Sequence, residues 1–125
     1  MRKWRDHNAD TWTINSDGSV DVSGYIRINE HNFRGSKLPF KFGKISGTFD
    51  VDYSTLETME NFPDEIENVF YCCHTKISLL EHFPKKVGHV CLYRNSKLFT
   101  ESDIKKLCNS ENITADNSNS TLGKI

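Results

Sequence analysis

A repeat with a period of 21 residues constrains this chain more than any other feature of its sequence. Pro63 and Pro84 each follow a phenylalanine and lie 21 residues apart. The apolar positions around them recur at the same spacing in successive segments: Ile45, Phe49, Val51, Leu56, Met59 and Phe62, then Ile66, Phe70, Cys72, Ile77, Leu80 and Phe83, then Val87, Cys91, Tyr93 and Leu98. A less regular copy lies about 23 residues upstream, at Val22, Ile26, Ile28 and Phe33. Agreement at so many apolar positions indicates repeated structural units.

Each unit combines two kinds of spacing. A short stretch such as Phe49-Asp50-Val51 alternates apolar and polar residues, which is typical of a strand. The looser apolar spacing that follows indicates a return segment. One strand and one return per unit describe a solenoid coil, and stacked coils place their strands side by side in a parallel sheet. We therefore predict a β-rich solenoid of about four irregular coils, with Phe49, Phe70 and Cys91 stacked in one inward column.

The chain length of 125 residues suits a single domain, and a hydrophobic fraction of 36% suits a thin, elongated core. We predict one solenoid domain over residues 1–109, with an N-terminal cap over 1–22, coils over 23–99 and a helical cap over 100–109. Residues 110–125 are polar and are predicted to form a flexible tail.

Both predicted caps rest on local signals. Asp17-Gly18 lies between two alternating segments and predicts a hairpin, beside which Trp4 and Trp12 are expected to seal the first coil. Thr100 and Asp103 have the spacing of a helix capping box. The inward face of the helix is predicted from its apolar spacing: Ile104, Leu107 and Cys108.

The unit Phe83–Leu98, which reads Phe-Pro-Lys-Lys-Val-Gly-His-Val-Cys-Leu-Tyr-Arg-Asn-Ser-Lys-Leu, resembles the short leucine-rich-repeat-like units of small tailed-bacteriophage proteins. The segments that begin at Ile14 and Leu38 are similar to segments of the same proteins. This resemblance covers about residues 12–98, and it implies an α/β leucine-rich-repeat-like architecture, a phage origin and a binding scaffold. The sequence departs from the family pattern at Cys72–Ile77, so a continuous asparagine ladder is not expected.

The outward face of the predicted sheet carries the candidate site. Its positions form three rows across the coils: Tyr25, Thr48, Val69 and Val90, then Arg27, Asp50, Tyr71 and Leu92, then Asn29, Asp52, Cys73 and Arg94. A solvent-facing sheet is normally polar, yet the last two coils place four apolar residues together, which indicates a partner surface. We predict a protein-binding site of Val69, Tyr71, Val90, Leu92, Arg94, Asp50, Asp52 and Arg27, with Tyr71 beside Arg94 as a hot spot. A covering loop, the tail or a second copy is the alternative occupant.

Cysteine and histidine cluster at Cys72-Cys73-His74, with His89 and Cys91 one coil later. A zinc site needs four converging ligands, whereas the repeat places Cys72 and Cys91 inward as small apolar residues, so no metal site is predicted. Asp50 and Asp52 share one strand face, where they form either a solvated surface or a paired-acid or cation site. No nucleophile elbow, phosphate loop or dinucleotide fingerprint is present, and no cofactor is predicted.

Charge and hydropathy exclude several function classes. The formal net charge is −1, which argues against sequence-independent nucleic-acid binding. No stretch approaches the roughly 20 apolar residues of a membrane span. The basic N-terminus has no apolar run behind it, so no signal peptide is expected, and we predict free thiols in a reducing cytoplasm.

These observations predict a non-enzymatic protein-binding module. The resemblance implies a phage accessory protein in the host bacterial cytoplasm that binds and inhibits or modulates a host protein, including a defence or toxin component. Two alternatives remain open: a small metal-dependent or nucleic-acid-processing enzyme that uses Asp50, Asp52 and the histidines, and a self-associating structural protein.

Overall fold

A computed structural model describes residues 11–110 and 112–116 of the chain. This part of the chain forms a β-rich solenoid of about four turns, and its strands and helix are β1 (Thr11–Ile14), β2 (Val20–Arg27), β3 (Phe42–Asp50), β4 (Glu65–Tyr71), β5 (Lys86–Leu92), α1 (Glu101–Lys105) and β6 (Asn112–Ala115). The strands form one sheet in sequence order. β1 runs antiparallel to β2, and every later neighbour is parallel. The predicted solenoid with a parallel sheet is confirmed, whereas predictions for residues 1–10, including Trp4, and for 117–125 lie outside the described residues.

The hairpin between β1 and β2 forms at the predicted Asp-Gly. Gly18 has a φ of 90° and donates its N–H to the Asn15 carbonyl at 2.9 Å, a conformation that glycine adopts without steric cost. The Asp17 carboxylate accepts the Ser19 N–H at 2.9 Å and so holds the turn from the inside. Trp12 packs against Phe40 and Phe42.

A chain of phenylalanine rings fills the core between the sheet and the return segments. Phe49 lies 5.5 Å from Phe62 and 6.2 Å from Phe70, and Phe70 lies 5.6 Å from Phe83, measured between ring centroids. Strand residues alternate along this chain with residues that precede the two prolines. The Phe-Pro repeat therefore supplies the second layer of the core, and edge-to-face contacts between the rings stabilise it beyond simple burial.

The predicted column of Phe49, Phe70 and Cys91 is only partly correct. Phe49 pairs with Phe70, but Phe70 pairs with Val90, because the offset between β4 and β5 changes from 21 to 20 residues between Ile66 and Val69. Val90 is fully buried, whereas Cys91 is only partly buried. A β-bulge in β4 thus exchanges the inward and outward sides of β5 relative to the prediction.

Gly88 explains where this bulge lies. A Cβ atom on residue 88 would lie 2.4 Å from the Glu67 carbonyl oxygen and 2.5 Å from that of Asn68. The extra residue of β4 therefore occupies the space that a side chain would need, and only glycine leaves it free.

The C-terminal segment differs from the prediction in two ways. The helix begins with the predicted capping box, in which Thr100 donates its N–H to the Asp103 carboxylate at 2.8 Å and accepts the Asp103 N–H, but it ends at Lys105 instead of residue 109. Residues 112–115, predicted as tail, form β6 and pair with β5. Ile113 and Ala115 pack against the core, so the alternation in Asn-Ile-Thr-Ala is the strand signal that the overall polarity of this segment obscures.

Candidate functional site

Four of the predicted site residues lie together on the outward side of the sheet. Arg27 pairs with Asp50 across β2 and β3, and Asp50 pairs with Tyr71 across β3 and β4. Val69 lies two residues before Tyr71 on the same side of β4, and both are partly exposed. We call Tyr25, Arg27, Asp50, Val69 and Tyr71 the outer face.

Val90 and Leu92 do not belong to this surface, which corrects the prediction. Both side chains are fully buried in the core. Their outward places are taken by His89, which pairs with Val69, and by Cys91, which pairs with Tyr71. The predicted apolar block of four residues is therefore reduced to Val69 and Tyr71.

Asp50 organises the polar half of the outer face. Its Oδ2 atom accepts a hydrogen bond from the Tyr25 hydroxyl at 2.8 Å and lies 3.6 Å from Arg27 Nε. The Arg27 guanidinium also lies over the Tyr25 ring, 5.1 Å from its centroid. Burial raises the pKa of Tyr25, and Asp50 raises it further against the effect of Arg27, so this hydroxyl stays a donor at neutral pH. These three side chains are held in one arrangement before any ligand binds.

Asp52 lies where the ends of β3 and β4 meet. It donates its backbone N–H to Asp50 Oδ1 at 3.0 Å, and its own Oδ1 accepts the Cys73 N–H at 2.7 Å. Burial raises the pKa of Asp52, and the charge of Asp50 adds to that shift while the Cys73 N–H opposes it. The two carboxylates predicted as a possible acid pair are thus close together, but both oxygens of Asp50 and one of Asp52 bind groups of the protein itself.

The thiols of the Cys-Cys-His segment are not nucleophilic in this arrangement. All four cysteines are free, and Cys72 and Cys73 are buried. Burial, aided by the Asp52 charge, raises the pKa of Cys73 to about 12, and burial raises the pKa of Cys72 well above its usual value. The Cys73 thiol donates to the Cys91 carbonyl at 3.4 Å. Within residues 11–110 and 112–116, no three or more His, Cys, Asp or Glu side chains are arranged to hold a metal ion.

A row of rings at the ends of the strands was not anticipated from the sequence. Tyr53 and His74 stack in parallel with centroids 4.5 Å apart, and Tyr93 meets His74 edge-on at 6.2 Å. Tyr53, His74 and Arg94 all have φ near 57°, a conformation that non-glycine residues seldom adopt. The signal is their recurrence directly after successive strands. We call Tyr53, His74 and Tyr93 the aromatic rim.

The aromatic rim adjoins an open depression of about 460 Å³. Tyr53 forms one wall, and Arg27, Asp50 and Asp52 contribute to the others. Arg94, predicted beside Tyr71, instead lies in the turn after β5, exposed, with its backbone N–H bound to the Asp116 carboxylate at 3.0 Å. The structure therefore groups the polar site residues with aromatic rings and separates them from Arg94.

Comparisons of this chain with protein-family models, with curated proteins and with solved structures gave no match. The described segments contain no helix with the length and hydrophobicity needed to cross a membrane.

Proposed function

We propose that this chain is a non-enzymatic protein-binding module that binds its partner through the outer face and the adjoining aromatic rim. The observation that carries the proposal is the prearranged group of Tyr25, Arg27 and Asp50 beside the partly exposed Tyr71. Tyrosine and arginine are the residues most enriched at interface hot spots. A surface that is already ordered loses little conformational entropy on binding, which favours affinity.

The geometry of Asp50 and the thiols supports a binding role over a catalytic one. The Asp50 oxygens accept hydrogen bonds within the protein, and the buried thiols remain protonated. These groups stabilise the surface, and the chemistry they offer a partner is hydrogen bonding and charge.

We also propose that the coils are leucine-rich-repeat-like units. Asn95, in the Arg-Asn-Ser-Lys-Leu segment that resembles phage repeats, supports this: its side chain accepts the Thr75 N–H at 2.9 Å and donates to the Cys72 carbonyl at 2.9 Å. An asparagine that bonds the backbone of the preceding coil is the role of the conserved-type asparagine in such repeats. On that resemblance we extend the proposal to a phage accessory protein that blocks a host protein sterically in the bacterial cytoplasm.

Quantitative affinity capture from bacterial lysate tests the proposal. The baits are the wild-type chain, the double variant Arg27→Ala/Tyr71→Ala, and the control Lys37→Ala, whose side chain is 58% exposed on a return segment. We expect a protein retained by the wild type and by the control, with retention reduced at least about tenfold in the double variant.

Equal retention by the double variant would contradict the proposed surface. Sedimentation of the bait alone identifies the ligand as a second copy if the wild type associates and the double variant does not.

A further inference from the structure

A separate exposed apolar surface lies where the return segment after β4 meets α1. Leu79 is 61% exposed and Leu107 is 47% exposed. With Leu80 and Phe99 they line an open depression of about 400 Å³. The sequence predicted Leu107 on the inward face of the helix, but the helix ends before it and leaves the side chain in solvent.

Two lysines make this depression basic. Lys97 and Lys106 both line it, and Lys97 Nζ lies 5.9 Å from the Phe99 ring centroid. Neither lysine forms an ion pair with a described residue. Asp103 also lines the depression, but its carboxylate binds the Thr100 N–H at the start of α1. Two cationic groups therefore face a single carboxylate that is already engaged.

We infer that this leucine–lysine groove, formed by Leu79, Leu107, Lys97 and Lys106, binds a peptide segment of a partner protein that carries both apolar and acidic side chains. Apolar side chains of the segment release water from the exposed leucines, which is the main driving force for association. An aspartate or glutamate on the segment forms charge-assisted hydrogen bonds with the lysines. The groove lies on the return-segment side of the coil, so this inference does not depend on the outer face.

Selection of peptides from a displayed library of random 12-residue sequences tests the inference. The full chain is the target, with counter-selection on the double variant Leu79→Ser/Leu107→Ser. We expect the enriched peptides to combine leucine-like residues with aspartate or glutamate. Their affinity, measured by titration calorimetry, should fall at least tenfold in the leucine variant and about threefold to tenfold in Lys97→Gln/Lys106→Gln.

Ile14→Ser serves as the matched control, because Ile14 is 76% exposed at the opposite end of the sheet. Thermal unfolding of each variant verifies that the fold is retained. The inference is overturned if no peptide is enriched, if the enriched peptides lack acidic residues, or if they bind the leucine variant as well as the wild type. A synthetic peptide of residues 117–125 that competes with the selected peptides would assign the groove to the chain itself and would also overturn it.

Discussion

The junction between β3 and β4 and the junction between β4 and β5 begin with the same sequence motif and end differently. At the first, an offset of 21 residues holds from Ile45 and Ile66 to Phe49 and Phe70. At the second, the same offset pairs Ile66 with Val87 and is then shortened by one residue opposite Gly88. A repeat motif thus fixes where a coil starts, whereas a single glycine decides which side chains of the next strand face outward.

The largest test of this difference places a charge on each side of β5. Leu92→Asp should destabilise the fold by more than about 3 kcal/mol, because the carboxylate would be buried without a partner. Cys91→Asp, one residue away on the outward side, should cost less than about 1 kcal/mol. Chemical denaturation of both variants measures the two free energies of unfolding. The opposite ranking would restore the uninterrupted offset of 21 residues.

The second test addresses the glycine itself. Gly88→Ala should destabilise the fold by about 1 to 3 kcal/mol, since its Cβ would collide with two backbone carbonyl oxygens of β4. Ser46→Ala, on the exposed side of β3 at the regular junction, should change stability by less than about 0.5 kcal/mol. Urea denaturation of the matched pair gives the comparison. A neutral Gly88→Ala would mean that the extra residue of β4 does not fill this space.

Thiol labelling sharpens the comparison without changing the sequence. Cys91 is partly exposed on the outward side of β5, whereas burial and Asp52 raise the pKa of Cys73 to about 12. Because the thiolate is the reactive form, iodoacetamide at pH 8 should modify Cys91 at least about tenfold faster than Cys73. Peptide mass spectrometry over time measures both rates. Faster labelling of Cys73 would show that the two cysteines face the other way.

The smallest effect concerns Asp52, which bonds the Cys73 N–H at the regular junction. Burial raises its pKa above the ordinary 3.8, so the protonated form is favoured in the folded state. That contribution to stability is fully present below about pH 3.8 and is lost as the pH rises through the folded pKa. Asp52→Asn should therefore be more stable than the wild type at pH 7, by less than about 1 kcal/mol because the side chain is partly solvated, and the difference should vanish near pH 3.

Asp103→Asn is the matched control with the opposite sign. Hydrogen bonds with Thr100 lower the pKa of Asp103, so its contribution is present above the ordinary 3.8 and is lost as the pH falls through the folded value. This variant should be less stable than the wild type at neutral pH and should approach it in acid. Thermal unfolding of both variants between pH 3 and pH 7 measures the two trends, and parallel trends would contradict the burial of Asp52.

The sequence was sufficient to predict the coils, because the repeat marks every strand except the last. It predicted the pairing of Phe49 with Phe70 and the capping box of Thr100 for the same reason: these signals are local or strictly periodic. The orientation of β5 was not predictable from alternation, since Val90-Cys91-Leu92-Tyr93 is apolar on both sides. A glycine inside a strand was the available warning.

The site was predicted less completely than the fold. Arg27, Asp50 and Tyr71 lie side by side as the rows required, because the offset is regular there. The stack of Tyr53 on His74 depends on a left-handed backbone conformation after each strand, which no propensity of tyrosine or histidine indicates.

The shift opposite Gly88 bears on how such a surface can diversify. Because successive side chains point to opposite sides of a strand, losing or gaining one residue swaps the hidden and displayed sets of everything beyond it. A coil that tolerates burial of either set, as Val90-Cys91-Leu92-Tyr93 does, can acquire a new exterior through one small change in length while its phenylalanine anchors stay as they are. Homologous chains of this type would then differ in what they bind more readily than in how they fold.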